Sequence, residues 1–152
     1  MSGRRATTSG LAVFALTLMG VACGPMGPIP GGELSGAEAA PPDDWAFSDA
    51  TETVQLETRP ADPYSINVWG VGLGPHFYLA AGEGQASTWA RHLVADPEVR
   101  LGVEGRLYPL RATRVEDPAE IERVLAAMQE KYDFVPDPEQ RAQAWLFRLD
   151  PR

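Results

Sequence analysis

The sequence predicts an α+β fold in which a small barrel of six β-strands carries two packed helices. Short apolar segments recur between residues 53 and 149, and glycine or proline bounds most of them, which is typical of strands. The run Asp117-Pro118-Ala119-Glu120 is a strong helix-start signal ahead of an apolar stripe with helical spacing. A second, shorter helix is inserted after a strand hairpin, and this order of elements favours a small barrel.

The six strands follow from apolar periodicity and from the residues that interrupt it. In the first strand, Val54 and Leu56 alternate with the polar residues Gln55 and Glu57, which indicates a half-buried strand. The second and third strands are joined by the glycine-rich residues 72–75 and form a hairpin. The predicted strands are residues 53–58, 65–71, 76–81, 99–103, 106–116 and 144–149.

Two helices complete the predicted domain. Ser87 can cap a short helix that begins at residues 88–90, and Asp96-Pro97 ends it. The longer helix begins after Asp117 and runs to about residue 132, with one apolar face that lies on the core. Residues 133–139 are polar and interrupted by proline, which predicts a loop.

The first 22 residues are typical of a secretory signal peptide. Arg4 and Arg5 precede an apolar run over residues 11–22, which is shorter than the roughly 20 residues of a membrane span. Cys23, the only cysteine, follows at once, and this arrangement resembles the lipobox of bacterial lipoproteins. The resemblance implies lipidation of Cys23 and an exported protein anchored on the periplasmic side of the bacterial cell envelope. The alternatives are a secreted protein with a free thiol and, because of the two arginines, export by the twin-arginine route.

The charge of the exported chain restricts its partners. Removal of residues 1–22 leaves 11 Lys and Arg against 21 Asp and Glu, a net charge of −10. This acidity argues against nucleic-acid binding and against docking on anionic lipid headgroups, because both need basic patches. Residues 23–42 contain the modified cysteine and a segment rich in proline and glycine, which predicts a disordered linker ahead of a folded domain over residues 43–152.

Several short sequence motifs follow one another in the order that is found in a known protein family. The chain resembles the split β-barrel flavin-binding superfamily, which includes the pyridoxamine 5′-phosphate oxidase-like proteins and the deazaflavin-dependent nitroreductases. The resemblance covers most of residues 51–149. It is carried by Trp69, His76-Phe77-Tyr78-Leu79, Gly82-Glu83-Gly84, Trp89-Ala90-Arg91-His92-Leu93 with Asp96-Pro97-Glu98-Val99, Val103-Glu104-Gly105, the stretch from Ala112 to Asp117, and Glu130-Lys131-Tyr132.

The resemblance implies a bound flavin-type cofactor, FMN or the deazaflavin F420, in a groove beside the barrel. It also implies a homodimer and an oxidoreductase activity in which the cofactor carries the chemistry. Basic and hydroxyl residues would meet the phosphate, because charge-assisted donors bind phosphate strongly. By position, the phosphate candidates are Arg59, Ser87, Thr88, Arg91 and His92, and the candidates that would flank the ring are Trp69, Tyr78 and Trp89.

Two functions of other classes stay open. A barrel without a cofactor could act as a binding or scaffold module at the envelope, which is favoured by the acidic balance and by a first strand without basic residues. A carrier of small ligands that uses the barrel groove is the third alternative. The sequence identifies no catalytic acid or base. Its two histidines and one cysteine lack metal-ligand spacing, so no metal site is predicted.

Overall fold

The computed structural model describes residues 24–152, which form eight strands, three α-helices and two 3₁₀ helices. Among the described residues, no helix is long and apolar enough to cross a membrane. The strands are β1 (Ala37–Glu38), β2 (Val54–Thr58), β3 (Tyr64–Val68), β4 (Gly70–Leu73), β5 (His76–Ala81), β6 (Glu98–Val103), β7 (Arg106–Arg114) and β8 (Trp145–Pro151). The helices are α1 (Thr88–Ala95), α2 (Pro118–Tyr132) and α3 (Pro138–Gln143), with 3₁₀ helices at Ala46–Ala50 and Gly84–Ala86.

The strands form one curled sheet with the order β3-β2-β6-β7-β8-β5-β4. Adjacent strands along this path pair in antiparallel orientation, and β1 pairs with β7 in parallel orientation. The two outermost strands, β3 and β4, are consecutive in the chain and are separated by Trp69 alone. The edges of the sheet are therefore joined at this residue, which produces a barrel that is split between β3 and β4.

The barrel with packed helices is confirmed, but the predicted number of strands is wrong, because the described residues form eight strands instead of six. The predicted strand over residues 65–71 is two strands. Val68 pairs with Val54 of β2, whereas Gly70 pairs with Leu79 of β5. A continuous apolar run does not show that a strand changes its partner halfway. The other additional strand, β1, lies in the segment that was expected to be disordered.

Two apolar clusters hold the barrel and its helices together. The interior is filled from β2, β5, β6 and β8 by side chains that include Leu56, Phe77, Leu101 and Phe147, each at most 1% exposed. Trp45 is fully buried beside them and packs edge-on against Phe77, with 5.2 Å between ring centroids. The second cluster lies between α2 and the outer face of the sheet and contains Val71, Tyr78, Val115, Val124, Met128 and Leu146.

The N-terminal segment differs from the predicted disordered linker over residues 23–42. From residue 24 onward it packs on the barrel: Gly31 and Ser65 exchange two backbone hydrogen bonds of 2.8 Å, and the Ala39 amide donates to the Leu107 carbonyl. Leu34 is buried at 4% exposure. The folded unit therefore begins well before residue 43. The predicted signal peptide and Cys23 lie outside the described residues.

The two predicted helices are present as α1 and α2, and a third was missed. The Asp117 carboxylate accepts from the Glu120 amide at the start of α2, as its sequence signal predicts. The predicted loop over residues 133–139 is present over residues 133–137 and is wrong at its last two residues, because α3 begins at Pro138 behind the N-cap Asp137. The capping box of Asp137 with Gln140 repeats the same Asp-Pro signal over a helix too short to show an apolar period.

A buried ion pair joins the N-terminal segment to the barrel. The Glu57 carboxylate is 4% exposed and accepts from the Arg100 guanidinium through Nε and Nη2, both at 2.7 Å. Glu57 also accepts from the Leu34 amide at 2.6 Å, so its charge is fully engaged. These contacts with Glu57 raise the pKa of Arg100, which stays a cation throughout the accessible pH range.

We expect Arg100→Met to lower the free energy of unfolding by about 3 kcal/mol, because it leaves the buried Glu57 carboxylate without its counter-charge. Urea unfolding of the two proteins measures this difference. The matched control is Arg111→Met, which removes the more exposed pair with Glu98 and should cost less than about 1 kcal/mol. Equal losses in the two variants would contradict a special role for the buried pair.

Candidate functional site

An open groove of about 630 Å³ runs along the split of the barrel. Its walls come from the break between β3 and β4, the end of β5, the start of α1 and the N-terminal segment. The groove is lined by Gly27, Pro28, Thr53, Asn67, Val68, Trp69, Ala80, Ala81, Gly82, Glu83, Ser87 and Trp89. Its volume lies within the roughly 300–1,000 Å³ of small-molecule and cofactor sites.

Trp69 is the prominent aromatic residue of the groove. It is 45% exposed, unusual for so large an apolar side chain in a barrel, and it stacks on Tyr132 with 4.5 Å between centroids and 7° between planes. Trp89 also lines the groove, but it is 7% exposed and packs against Phe147 in the core. Of the two tryptophans that the sequence nominates as ring contacts, Trp69 therefore offers the larger accessible surface.

A basic cluster, formed by Arg59, Arg91 and His92, lies at α1, and none of the three residues lines the groove. The Arg91 guanidinium donates to the carbonyls of Gln85 and Ala86, both at 3.0 Å, and to the Thr88 hydroxyl at 3.1 Å. Arg59 pairs with the exposed Asp62 at 3.1 Å. Ser87, which lines the groove, directly precedes Thr88, which Arg91 contacts. His92 lies farther away, because it contacts Thr58 and Tyr64 at the opposite ends of β2 and β3 from the groove.

The pKa of His92 depends on its burial and on the charges of this cluster. Its Nδ1 lies 2.9 Å from the Thr58 hydroxyl, and its ring meets Tyr64 edge-on with 4.9 Å between centroids. Burial lowers the pKa of His92, and the positive charges of Arg59 and Arg91 lower it further. His92 is therefore mostly neutral at pH 7.

Tyr78 does not belong to the groove, so its predicted contact with a cofactor ring is wrong. Its side chain points to the opposite face of β5, where it is buried against α2 and donates to Glu120 at 2.8 Å. Glu120 in turn accepts from Arg148, which also pairs with Asp150. Burial and the bond to Glu120 raise the pKa of Tyr78, so its hydroxyl stays protonated as part of this structural network.

Sequence reasoning missed two residues that bind the strand break beside Trp69. The Lys131 ammonium donates to the carbonyls of Ser48 and Gly70, at 3.0 and 2.9 Å, and burial lowers its pKa. The Tyr132 hydroxyl accepts from the Gly70 amide at 3.0 Å, and burial raises its pKa. The Lys131-Tyr132 motif at the end of α2, which forms part of the family resemblance, could have identified both residues. It marks an anchor at the strand break beside Trp69.

The arrangement suits a flat ligand with an anionic end. The small side chains of Ala80 and Ala81 and the bare backbone of Gly82 permit close approach to the groove floor. Trp69 provides aromatic surface in the groove, and Arg91 provides charged donors on the helix whose start lines it. Within residues 24–152, no group of three or more His, Cys, Asp or Glu is placed to hold a metal ion.

Comparisons with known proteins give similar structures. No protein-family model and no curated protein matches the sequence. The heme storage protein HutZ of Vibrio cholerae matches at a TM-score of 0.58 and 23% identity, over 70% of this chain and 85% of its own. An F420-H2 dependent reductase matches at 0.56 and 14%, over 78% of this chain and all of its own.

A third similar structure is a FAD-binding protein of Mesorhizobium loti, with a TM-score of 0.50 and 14% identity over 68% of this chain and 82% of its own. At these identities the likeness concerns the fold. The chain therefore has the split-barrel fold that these structures share, as the order of its sequence motifs predicts.

Proposed function

We propose that the protein binds a flavin-type cofactor, FMN or F420, in the groove and acts as an oxidoreductase. The observation that carries this proposal is the groove of about 630 Å³ with an exposed tryptophan on its wall. The start of α1 lines the groove, and the same helix carries Arg91 and His92. The ring lies against Trp69 over the floor of small residues. The phosphate lies toward Thr88, Arg91 and His92.

The residues fit such a group. A guanidinium has five N–H donors, and Arg91 uses three of them in contacts with α1 and the preceding turn, so donors remain for an anion. The amides at the start of α1 add favourable dipoles, since the Ser87 side chain makes no capping bond to them. The similar FAD-binding protein and F420-H2 dependent reductase support a ligand of this class.

The chemistry of such a protein is divided between the ligand and the chain. A bound flavin or deazaflavin supplies hydride transfer, and the protein supplies binding, orientation and shielding. Here Trp69 orients the ring, the basic cluster fixes the phosphate end, and the N-terminal residues Gly27 and Pro28 limit water access from one side. The Asn67 amide donates to the Gly27 carbonyl at 2.9 Å and keeps that wall in place.

Titration of the protein with FMN and with F420, followed by fluorescence, tests the proposal. We expect saturable binding of at least one of them, and we expect Trp69→Ala to weaken it about tenfold because the stacking surface is lost. Phe47→Ala is the matched control, since Phe47 is 39% exposed and lies outside the groove. Absence of binding of both FMN and F420 to the wild-type protein would contradict the proposed function.

A binding module without a cofactor is the second candidate. It is favoured by the contacts of the two arginines, because Arg59 is paired with Asp62 and Arg91 is engaged by local carbonyls. In that case these residues stabilise the turn and the start of α1. Failure of both titrations, with the fold intact, would make this candidate the working function.

The pKa of His92 provides a second test. We expect NMR titration to give His92 a pKa below 6.5 in the free protein and a higher one when FMN is bound, because the phosphate offsets Arg59 and Arg91. Riboflavin, which lacks the phosphate, should leave that pKa unchanged. An equal response to FMN and riboflavin would remove His92 from the phosphate site.

We further propose export with a lipid on Cys23 and assembly as a homodimer. The support for the lipid is the sequence pattern around residues 11–23, and the support for the dimer is the family resemblance. Radioactive palmitate fed to a bacterial host should label the wild-type chain and leave Cys23→Ser unlabelled. An unlabelled wild-type chain in the secreted fraction would favour an ordinary secreted protein. Light scattering measures the assembly.

A further inference from the structure

A second cavity, of about 380 Å³, shares Trp69 with the groove and is lined by residues of α2, α3 and β8. Leu125 and Met128 of α2 and Leu146 of β8 give it an apolar floor. The stacked rings of Trp69 and Tyr132 form one wall, and Phe134 meets Trp69 edge-on with 6.0 Å between centroids. The cavity is smaller than the groove and is enclosed by side chains on more of its sides.

The cavity has a defined outer wall because α3 is fixed in place. The capping box of Asp137 with Gln140 holds the start of α3, and Arg141 pairs with Glu122 of α2. The C-terminal end of α3 lies against Gly84, where an added Cβ would be 2.1 Å from the Gln143 carbonyl oxygen. Gly84 also has a φ of 49°. Glycine is therefore required for two reasons, the left-handed backbone conformation and the close approach of α3.

The lining determines the charge that the cavity accepts. Among the described side chains that line it, Glu83 alone is charged at neutral pH, and it lies at the border with the groove. The Tyr132 hydroxyl is directed to the carbonyls of Glu52 and Gly70. The Gln140 side-chain oxygen accepts from the Asp137 backbone amide, and the Gln143 side-chain amide donates to Glu139. No Lys, Arg or His side chain is among the described lining residues. An anion would therefore meet no positive partner here, and burial of an unpaired charge is costly.

We propose that this cavity is a separate binding site for an uncharged, flat, largely apolar molecule such as a small fused aromatic. The aromatic wall favours stacking of a planar ring, and the apolar floor gains from displacing water. Trp69, Ala80, Gly82 and Glu83 line both the cavity and the groove, so the two ligands would lie side by side. Binding in the cavity does not require a cofactor in the groove.

The test uses the full chain and N-phenyl-1-naphthylamine, an uncharged fused aromatic whose fluorescence rises in apolar surroundings. We expect saturable enhancement that Leu125→Trp weakens at least about tenfold, because the larger side chain fills the cavity. Ala126→Trp, on the exposed neighbouring position of α2, should bind like the wild type. Thermal unfolding checks that both variants are folded. Absence of saturable binding, or an equal loss in both variants, would overturn the proposal.

Two further titrations of the wild-type protein keep the test independent of the variants. The anionic analogue 8-anilinonaphthalene-1-sulfonate should bind at least about tenfold more weakly than the uncharged probe, and equal binding would overturn the predicted selectivity. Saturating FMN should leave the uncharged probe bound, whereas competitive displacement would show that groove and cavity are one site. If the protein binds the probe but binds neither FMN nor F420, this site is supported and only the proposed function is contradicted.

Discussion

The change of strand partner at Trp69 and Gly70 is the constraint on which the rest of the structure depends. Hydrogen bonding of the chain passes from β2 to β5 within two residues, and the Gly70 carbonyl accepts from both Lys131 and Tyr132. Position 70 requires glycine, because an added Cβ would be 2.4 Å from the Phe77 ring. The break turns the Trp69 side chain outward, which creates the surface that the groove and the second cavity share.

The parts of the fold that the sequence predicted are those governed by local signals. The Asp117 cap, the apolar stripe of α2 and the glycine and proline turns determine their elements through neighbours in the chain. The N-terminal segment was mistaken for a disordered linker because its order comes from distant partners. Leu34 is held by Glu57, and Ala37 pairs with Arg106. Composition rich in proline and glycine does not reveal such contacts, which depend on the folded barrel.

The candidate site was predicted in part for a related reason. Ser87, Thr88, Arg91 and His92 are close in sequence, so a short helix brings them together wherever it lies. Tyr78 was misplaced because β5 is covered on both faces, by the barrel core on one and by α2 on the other. A strand that is apolar throughout gives no period from which its groove side can be identified. The second cavity needs α3, whose position follows from contacts far apart in the chain.

The acidity of the chain does not decide whether the groove holds a phosphate. At physiological salt, charges are screened over about 8 Å, so a bound anion responds mainly to the groups around it. Burial lowers the pKa of His92, and Arg59 and Arg91 lower it further, so these two cations act on His92 although the chain without residues 1–22 would have a net charge of −10. The case against a cofactor therefore rests on the local contacts of Arg59 and Arg91. An anion must share Arg91 with the carbonyls of Gln85 and Ala86 and draw Arg59 from the exposed Asp62, and exposed pairs of that kind contribute little.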